Sequence, residues 1–283
     1  MKVHTKKGFT LIEMIVVILV VGILAGVVFT FLSGPMQAFV DVERRTNLVD
    51  IADTALQRMT REIRLALPNS IRVTGGGTVV EFLRTLDGGR YRAEDGGGAG
   101  PSVCGGTVAQ DVLDFSAAAD CFEVIGALNN VPASFGATQA DCLSNVGDGL
   151  VIYNTGSIGQ NAYNGDNIAV IQAATVNSIT FADAPTFPQS RRQRFFIVDT
   201  PVTFVCNVGA ATIRRIDDYP IDTGVGAAVG NLLINRVTAC NFNYNAGGPT
   251  RSGLVTLSIT IQDGNLAGGA VTLLQQVHVD NQP

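Results

Sequence analysis

The spacing of apolar residues changes twice along the chain. Residues 9–32 (FTLIEMIVVILVVGILAGVVFTFL) are almost continuously apolar and hold one charge, Glu13. As a helix this run would extend about 36 Å, enough for a hydrocarbon core of ~30 Å. Gly34-Pro35 follows. A proline inside a helix removes a hydrogen bond and crowds the preceding turn, so an interruption is expected there. Further on, Leu48, Ala52, Ala55, Met59, Ile63 and Ala66 recur every three or four residues, which predicts the apolar stripe of an amphipathic helix packed on a sheet. Arg44, Arg45, Asp50, Asp53, Arg58, Arg61, Glu62 and Arg64 fall mostly off that stripe, and Pro68-Asn69 predicts the helix end.

Past Pro68 the period shortens to that of strands, in short runs divided by Gly, Asn, Asp and Pro. Strands are expected at 78–85, 91–92, 112–115, 150–153, 168–171, 178–181, 194–198, 202–206, 211–215, 232–236, 239–244, 254–261 and 271–279. Asp87-Gly88-Gly89 reads as a hairpin turn, and residues 95–101 (DGGGAGP) as a flexible loop. Residues 254–261 (LVTLSITI) alternate apolar and polar, the pattern of a half-buried strand. The fold class that follows is α+β: one long N-terminal helix laid on an antiparallel β head with elaborated loops. The size of the head suggests elaborated loops or a second β lobe between about Glu94 and Asn167.

Composition narrows the function. The chain has 283 residues, a net charge of −5 and 15% charged residues. The acidic balance argues against a nucleic-acid partner. The two histidines, His4 and His278, exclude a three-His metal site. No G-x-S-x-G, Walker loop or H-E-x-x-H occurs, so no catalytic residue, cofactor or metal is expected. Asp148, Asp217 and Asp218 read as isolated turn acids. The loop 161–167 (NAYNGDN) reads as a solvated turn, with a glycan contact or a Ca²⁺ site as weaker alternatives, since the EF-hand pattern is absent.

The N-terminus carries the sharpest signal. Lys2, Lys6 and Lys7 precede the apolar run with no acid among them. That places the N-terminus in the cytoplasm and everything after the span outside it. The run is too long for an ordinary secretory signal, and Ser33-Gly34-Pro35 is a poor cleavage site. An ordinary anchor does not explain Glu13, whose carboxylate would cost on the order of 3 kcal/mol in a bilayer. Gly22 and Gly26 form a G-x-x-x-G pair, either a close-approach face for a neighbouring helix or a chance spacing.

The residues Lys6-Lys7-Gly8-Phe9-Thr10-Leu11-Ile12-Glu13 resemble the type IV prepilin signal, matching at the basic leader, the Gly-Phe pair and the Glu four residues beyond the Phe. The resemblance implies a leader, 1–8, cut by a prepilin peptidase between Gly8 and Phe9, with methylation of the new Phe9 amine. It implies a transmembrane and filament-core helix, 9–33, an amphipathic helix, 34–67, and a β-rich periplasmic head, 68–283. Glu13 would pair with the Phe9 amine of the next subunit and set the register. That pairing would offset the desolvation of both charges. Phrases such as 195–206 (FFIVDTPVTFVC), 232–244 (LLINRVTACNFNY) and the ending VHVDNQP further resemble minor pilins encoded with the mannose-sensitive haemagglutinin (MSHA) type IV pilus.

Those minor pilins are in turn similar to the J-type pseudopilins of type II secretion, which form a second reading. A tip adhesin is a third. The partners implied are the peptidase, other minor pilins, the major pilin, an inner-membrane assembly platform and membrane lipid. The location implied is the inner membrane of a Gram-negative cell, then the filament or its tip.

Five cysteines, Cys104, Cys121, Cys142, Cys206 and Cys240, all follow the span, where disulfides persist. Their spacing does not fix a connectivity. Cys206 with Cys240 is the favoured pair because both lie in or at the end of strand-like runs. Cys104 with Cys121 is the second, which leaves Cys142 odd.

Overall fold

The structure, a computed structural model, describes residues 8–94, 102–104, 111–221, 229–247, 252–264 and 269–283. The leader lysines and the 95–101 loop lie outside those residues.

One helix, α1 (Leu11–Ile63), runs unbroken for 53 residues. The expected interruption at Gly34-Pro35 does not occur. One missing backbone N–H is a smaller loss than ending a helix among apolar groups. The helix also stops short of Pro68. Arg64 is the C-cap, and Leu65 and Ala66 donate their N–H groups to Glu62 and Ile63 at 3.0 and 3.1 Å, which tightens the last turn.

The strands are β1 (Arg72–Thr74), β2 (Val79–Tyr91), β3 (Asp120–Ile125), β4 (Gly149–Ile152), β5 (Ile168–Ala174), β6 (Ser178–Ala182) and β7 (Arg194–Asn207). They continue with β8 (Thr212–Ile216), β9 (Asn231–Asn235), β10 (Val237–Asn245), β11 (Gly253–Gln262) and β12 (Ala270–Val279). A short helix, α2 (Gln139–Leu143), precedes β4. All pairings are antiparallel.

Strands β2 and β7 organise the head. They pair from Val79↔Val205 to Arg90↔Arg194, with irregular register around Leu83–Asp87. Above that irregularity the pairings β2–β3–β6–β5–β4–β7–β2 close a six-stranded ring. Irregularities of this kind bend a strand and increase its local twist, as closure requires. Below it, β1, β8 and β9 extend the sheet beside α1. β10–β11–β12 form a second sheet of three strands.

Two interiors result. The helix stripe Leu48, Ala52, Ala55, Met59 and Ile63 packs with Phe82, Phe204, Phe242, Leu257 and Ile259 from both sheets. The ring encloses Tyr91, Phe122, Phe181, Phe195 and Ile197. Phe122 meets Phe195 edge to face at 5.3 Å between centroids, a favourable geometry for the aromatic quadrupoles. A third cluster, with Cys142, Val151, Tyr163 and Ile168, covers the outside of β4 and β5.

Several expectations are corrected. Asp87-Gly88-Gly89 is not a hairpin turn but the middle of β2. A Cβ on Gly88 would lie 3.0 Å from the Phe195 carbonyl oxygen, and one on Gly89 would lie 2.9 Å from Phe195 Cζ. These glycines serve close packing against β7. The runs 194–198 and 202–206 are one strand, and 112–115 is irregular although Leu113 is buried. The extra β lobe spans 85–198 and shares strands with the rest of the head, so it is not a separate insertion at 94–167.

Candidate functional site

The N-terminal end of α1 is the first place where sequence chemistry and geometry meet. Gly8, Phe9 and Thr10 precede the helix. Phe9 is 83% exposed, and a Cβ placed on Gly8 would touch nothing within 4 Å. The Gly8–Phe9 peptide is therefore in accessible, non-helical chain, as a protease needs.

Thr10 is the N-cap and Glu13 the third helical residue. Thr10 donates its N–H and its hydroxyl to Glu13 Oε2 at 2.9 and 3.0 Å, and Glu13 N–H donates to Thr10 Oγ1 at 3.4 Å. This reciprocal box satisfies free N–H groups at the helix start. It also holds the carboxylate at the helix end that favours negative charge. Oε1 has no partner among the described residues. Thr10 was legible in the sequence as T-x-x-E before an apolar run, but only Glu13 stood out for its cost.

From residue 8 to residue 40, every described side chain is exposed. The apolar 18-residue window of α1 buries none of its surface in the chain, and α1 is long and apolar enough to cross a membrane. Thr30 returns its hydroxyl to the Gly26 and Val27 carbonyls at 3.1 and 2.9 Å, which hides a polar group on an apolar helix. Gly22 and Gly26 lie on this bare stretch with open space where a Cβ would be. A surface this apolar is completed only by lipid or by other helices.

The other end of α1 is tied to the head by charge. Arg215 on β8 donates Nε–H to Glu62 Oε2 at 2.6 Å and pairs through Nη1 with Asp217 at 2.5 Å, while Arg58 reaches Glu62 Oε1 at 3.1 Å. Arg215 is 7% exposed. Asp217 thus serves an ion pair and is more than a turn residue. Asp218 does sit in a turn, with φ of 60°, and accepts from Asn145 Nδ2 at 2.6 Å. Asp148 is buried, and burial raises its carboxyl above the ordinary value of 3.8.

In the 161–167 loop Asn161 caps a short 3₁₀ turn, Asp166 accepts from Gly159 N–H at 3.0 Å, and Asn167 Nδ2 donates to the Ile152 carbonyl at 3.0 Å. Most of these side-chain groups are taken by nearby backbone, although Asn167 Oδ1 is buried without a partner among the described residues. Among the described residues no group of three or more His, Cys, Asp or Glu is arranged to hold a metal.

Disulfides join Cys206 to Cys240 and Cys104 to Cys121. The first links β7 to β10, and so the two sheets that sandwich the helix stripe. Cys142 is a free thiol, and burial pushes it up to about 12.

Comparison with known proteins returns one family. Residues 4–29 match the prokaryotic N-terminal methylation motif. No curated protein and no solved structure matches the chain significantly. The match covers less than a tenth of the sequence. It includes Gly8, Phe9 and Glu13 and most of the bare apolar helix. A prepilin-type N-terminus followed by a long apolar helix and an antiparallel β head is the organisation of a pilin-like protein, and the motif points to a structural pilin.

Proposed function

We propose that this chain is a minor pilin of the MshO type, processed by a prepilin peptidase and taking part in initiating or assembling an MSHA-type IV pilus. The observation that carries the pilin class is the methylation motif at the head of a long helix whose apolar N-terminal stretch packs against nothing among the described residues. In this reading the peptidase cuts the Gly8–Phe9 bond and a methyl group is placed on the new Phe9 amine. The helix waits in the inner membrane with the head in the periplasm. It then leaves the bilayer to pack among the helices of other minor pilins and the major pilin, driven through an inner-membrane assembly platform.

Glu13 is the register device. In the free subunit Thr10 occupies one of its oxygens, and the methylated amine of a neighbouring Phe9 would take the other. Gly22 and Gly26 let a neighbouring backbone approach. The MSHA assignment draws on the C-terminal phrases FFIVDTPVTFVC, LLINRVTACNFNY and VHVDNQP. A J-type pseudopilin would share the same N-terminus, and the filament that incorporates the chain separates the two.

The test is intact mass and N-terminal sequencing of the protein from membranes and from sheared filaments. A methylated Phe9 terminus is expected in both. A chain that still begins at Met1, in cells whose other prepilins are processed, would overturn the reading. Glu13→Ala should be cleaved normally yet fail to enter filaments, and normal piliation in that variant would remove the register role.

A further inference from the structure

Where the end of α1 meets the ring, the surface is basic although the chain as a whole is acidic. A groove of about 560 Å³ there is lined by Arg64, Arg90 and Arg194 together with the apolar Leu65, Leu86 and Ile125. Arg90 and Arg194 stand directly opposite each other on β2 and β7. Like charges in that relation are unfavourable. Two acids also line the groove. Asp87 is already used, since its Oδ2 accepts the Asn129 and Asn130 N–H groups at 2.6 and 2.8 Å and its Oδ1 accepts the Gly88 N–H at 2.8 Å. Asp280, on the C-terminal tail, reaches Arg194 at 3.4 Å with its side chain 61% exposed. Arg64 and Arg90 have no ion pair among the described residues.

The C-terminal dipole of α1 offers Arg64 some compensation. It offers Arg90 none through any contact seen here. The Thr85 hydroxyl, also in the lining, is buried without a hydrogen-bond partner. The site thus presents two guanidinium groups with no carboxylate partner among the described residues and a third held by one exposed carboxylate, with a buried, unpartnered hydroxyl beside them. Guanidinium groups pair with carboxylates through parallel hydrogen bonds.

We infer that this groove docks an acidic peptide segment of a neighbouring subunit, and that Asp280 is an internal stand-in which the incoming carboxylates displace. The identity of the partner rests on the pilin reading, but the binding does not. A lipid headgroup is a poor occupant. Arg64 lies 32 residues beyond Leu32 on the same helix, or about 48 Å at 1.5 Å per residue, well clear of a bilayer spanned by the apolar run.

The test uses the full chain in detergent micelles and a fluorescein-labelled peptide of alternating Asp, Glu and Gly, read by anisotropy at low salt. Binding that weakens as salt rises is expected, with no binding of the Asn/Gln analogue. Arg90→Glu and Arg64→Glu should each weaken it at least fivefold, while Arg61→Glu, on the exposed helix face outside the groove, changes it less than twofold. Asp280→Asn should tighten it two- to fivefold. Melting curves on every variant establish that the head is folded, and Arg90→Gln serves if the glutamate variant is not. No binding to the parent or to Asp280→Asn would overturn the proposal. So would equal loss in the Arg61 variant, or stronger binding to anionic vesicles or to an acidic polysaccharide than to the peptide. A methylated Phe9 terminus could stand beside any of these failures, so the two readings fall separately.

Discussion

The head contains two β units that share two strands and keep their interiors dry in different ways. The ring closes on itself. Phe122, Phe181 and Phe195 fill it from three strands, and among the described residues no helix contributes to its interior. The unit below it is open. Its two sheets are brought together by the Leu48–Ile63 stripe of α1, by the Cys206–Cys240 bond and by the Glu62–Arg215 pair. Closure removes edges and needs no further element, whereas an open sandwich depends on whatever fills its middle. The helix is thus structural in its upper half and bare in its lower half. The unit that holds the helix is the one that would feel any force applied through a filament core.

The largest effects come from emptying either interior. Phe122→Ala in the ring should cost about 3–5 kcal/mol, and Met59→Ala at the centre of the helix stripe about 2–5 kcal/mol. Because β2 and β7 run through both units, each variant should lower a single melting transition by about 10 °C. Phe29→Ala, on the exposed helix, should leave the transition of the head in place. Calorimetry on the full chain in detergent reads all three. Two transitions, with only one displaced in each core variant, would show that the units melt independently and that the shared strands do not couple them.

Next comes the covalent link between the sheets. The Cys206–Cys240 loop of 34 residues should be worth about 3–4 kcal/mol on chain-entropy grounds. A Cys206→Ala/Cys240→Ala variant should melt correspondingly lower. Without reductant, thiol labelling should find one reactive group after unfolding and none before, because Cys142 is buried and its thiol is held protonated. More than one labelled thiol after unfolding would contradict the bonds described.

Much of this organisation was legible in the sequence, and what was not has identifiable causes. The Gly8, Phe9 and Glu13 signal and the helix stripe depend on neighbours within a few residues, so spacing reveals them. The strand β3, DCFEVI, escaped because two acids interrupt its apolar pattern, yet Asp120 and Glu123 are only half-buried at the rim of the ring. Gly88 and Gly89 mimic a turn, because a glycine required by an aromatic ring across the sheet looks the same in sequence as one required by a left-handed φ. Closure of the ring depends on the pairing of β2 with both β3 and β7, which no local pattern encodes. The Glu62–Arg215 pair spans 153 positions and has no sequence signature at all.

That pair should show a smaller effect than the cores. Glu62→Ala removes the Nε–H acceptor of a nearly buried guanidinium but leaves Asp217, so a loss of about 2 kcal/mol is expected. Arg58→Ala, which removes only the solvent-facing partner of Glu62, should cost less than about 1 kcal/mol. Equal losses in the two variants would mean that Arg215 does not anchor the helix and that the stripe alone holds it.

The smallest effect belongs to the ring side. Asp148 precedes β4 and is buried. Desolvation raises its carboxyl above 3.8, and the Ser134 N–H at 3.3 Å only partly offsets this. For a carboxyl raised by folding, the native state holds its proton to higher pH than the unfolded chain does. Ionisation therefore costs stability as pH climbs from the unfolded value through the folded one, and the penalty is absent below both. Asp148→Asn keeps the shape and an acceptor but cannot ionise. It should raise the melting temperature at pH 7 by a few degrees at most, a gain of less than about 1 kcal/mol, and the gain should vanish by about pH 3. A variant less stable than the parent at pH 7 would mean that the bonds to the ionised carboxylate outweigh its burial. The closed unit would then be relying on a charge, as the open unit relies on Glu62.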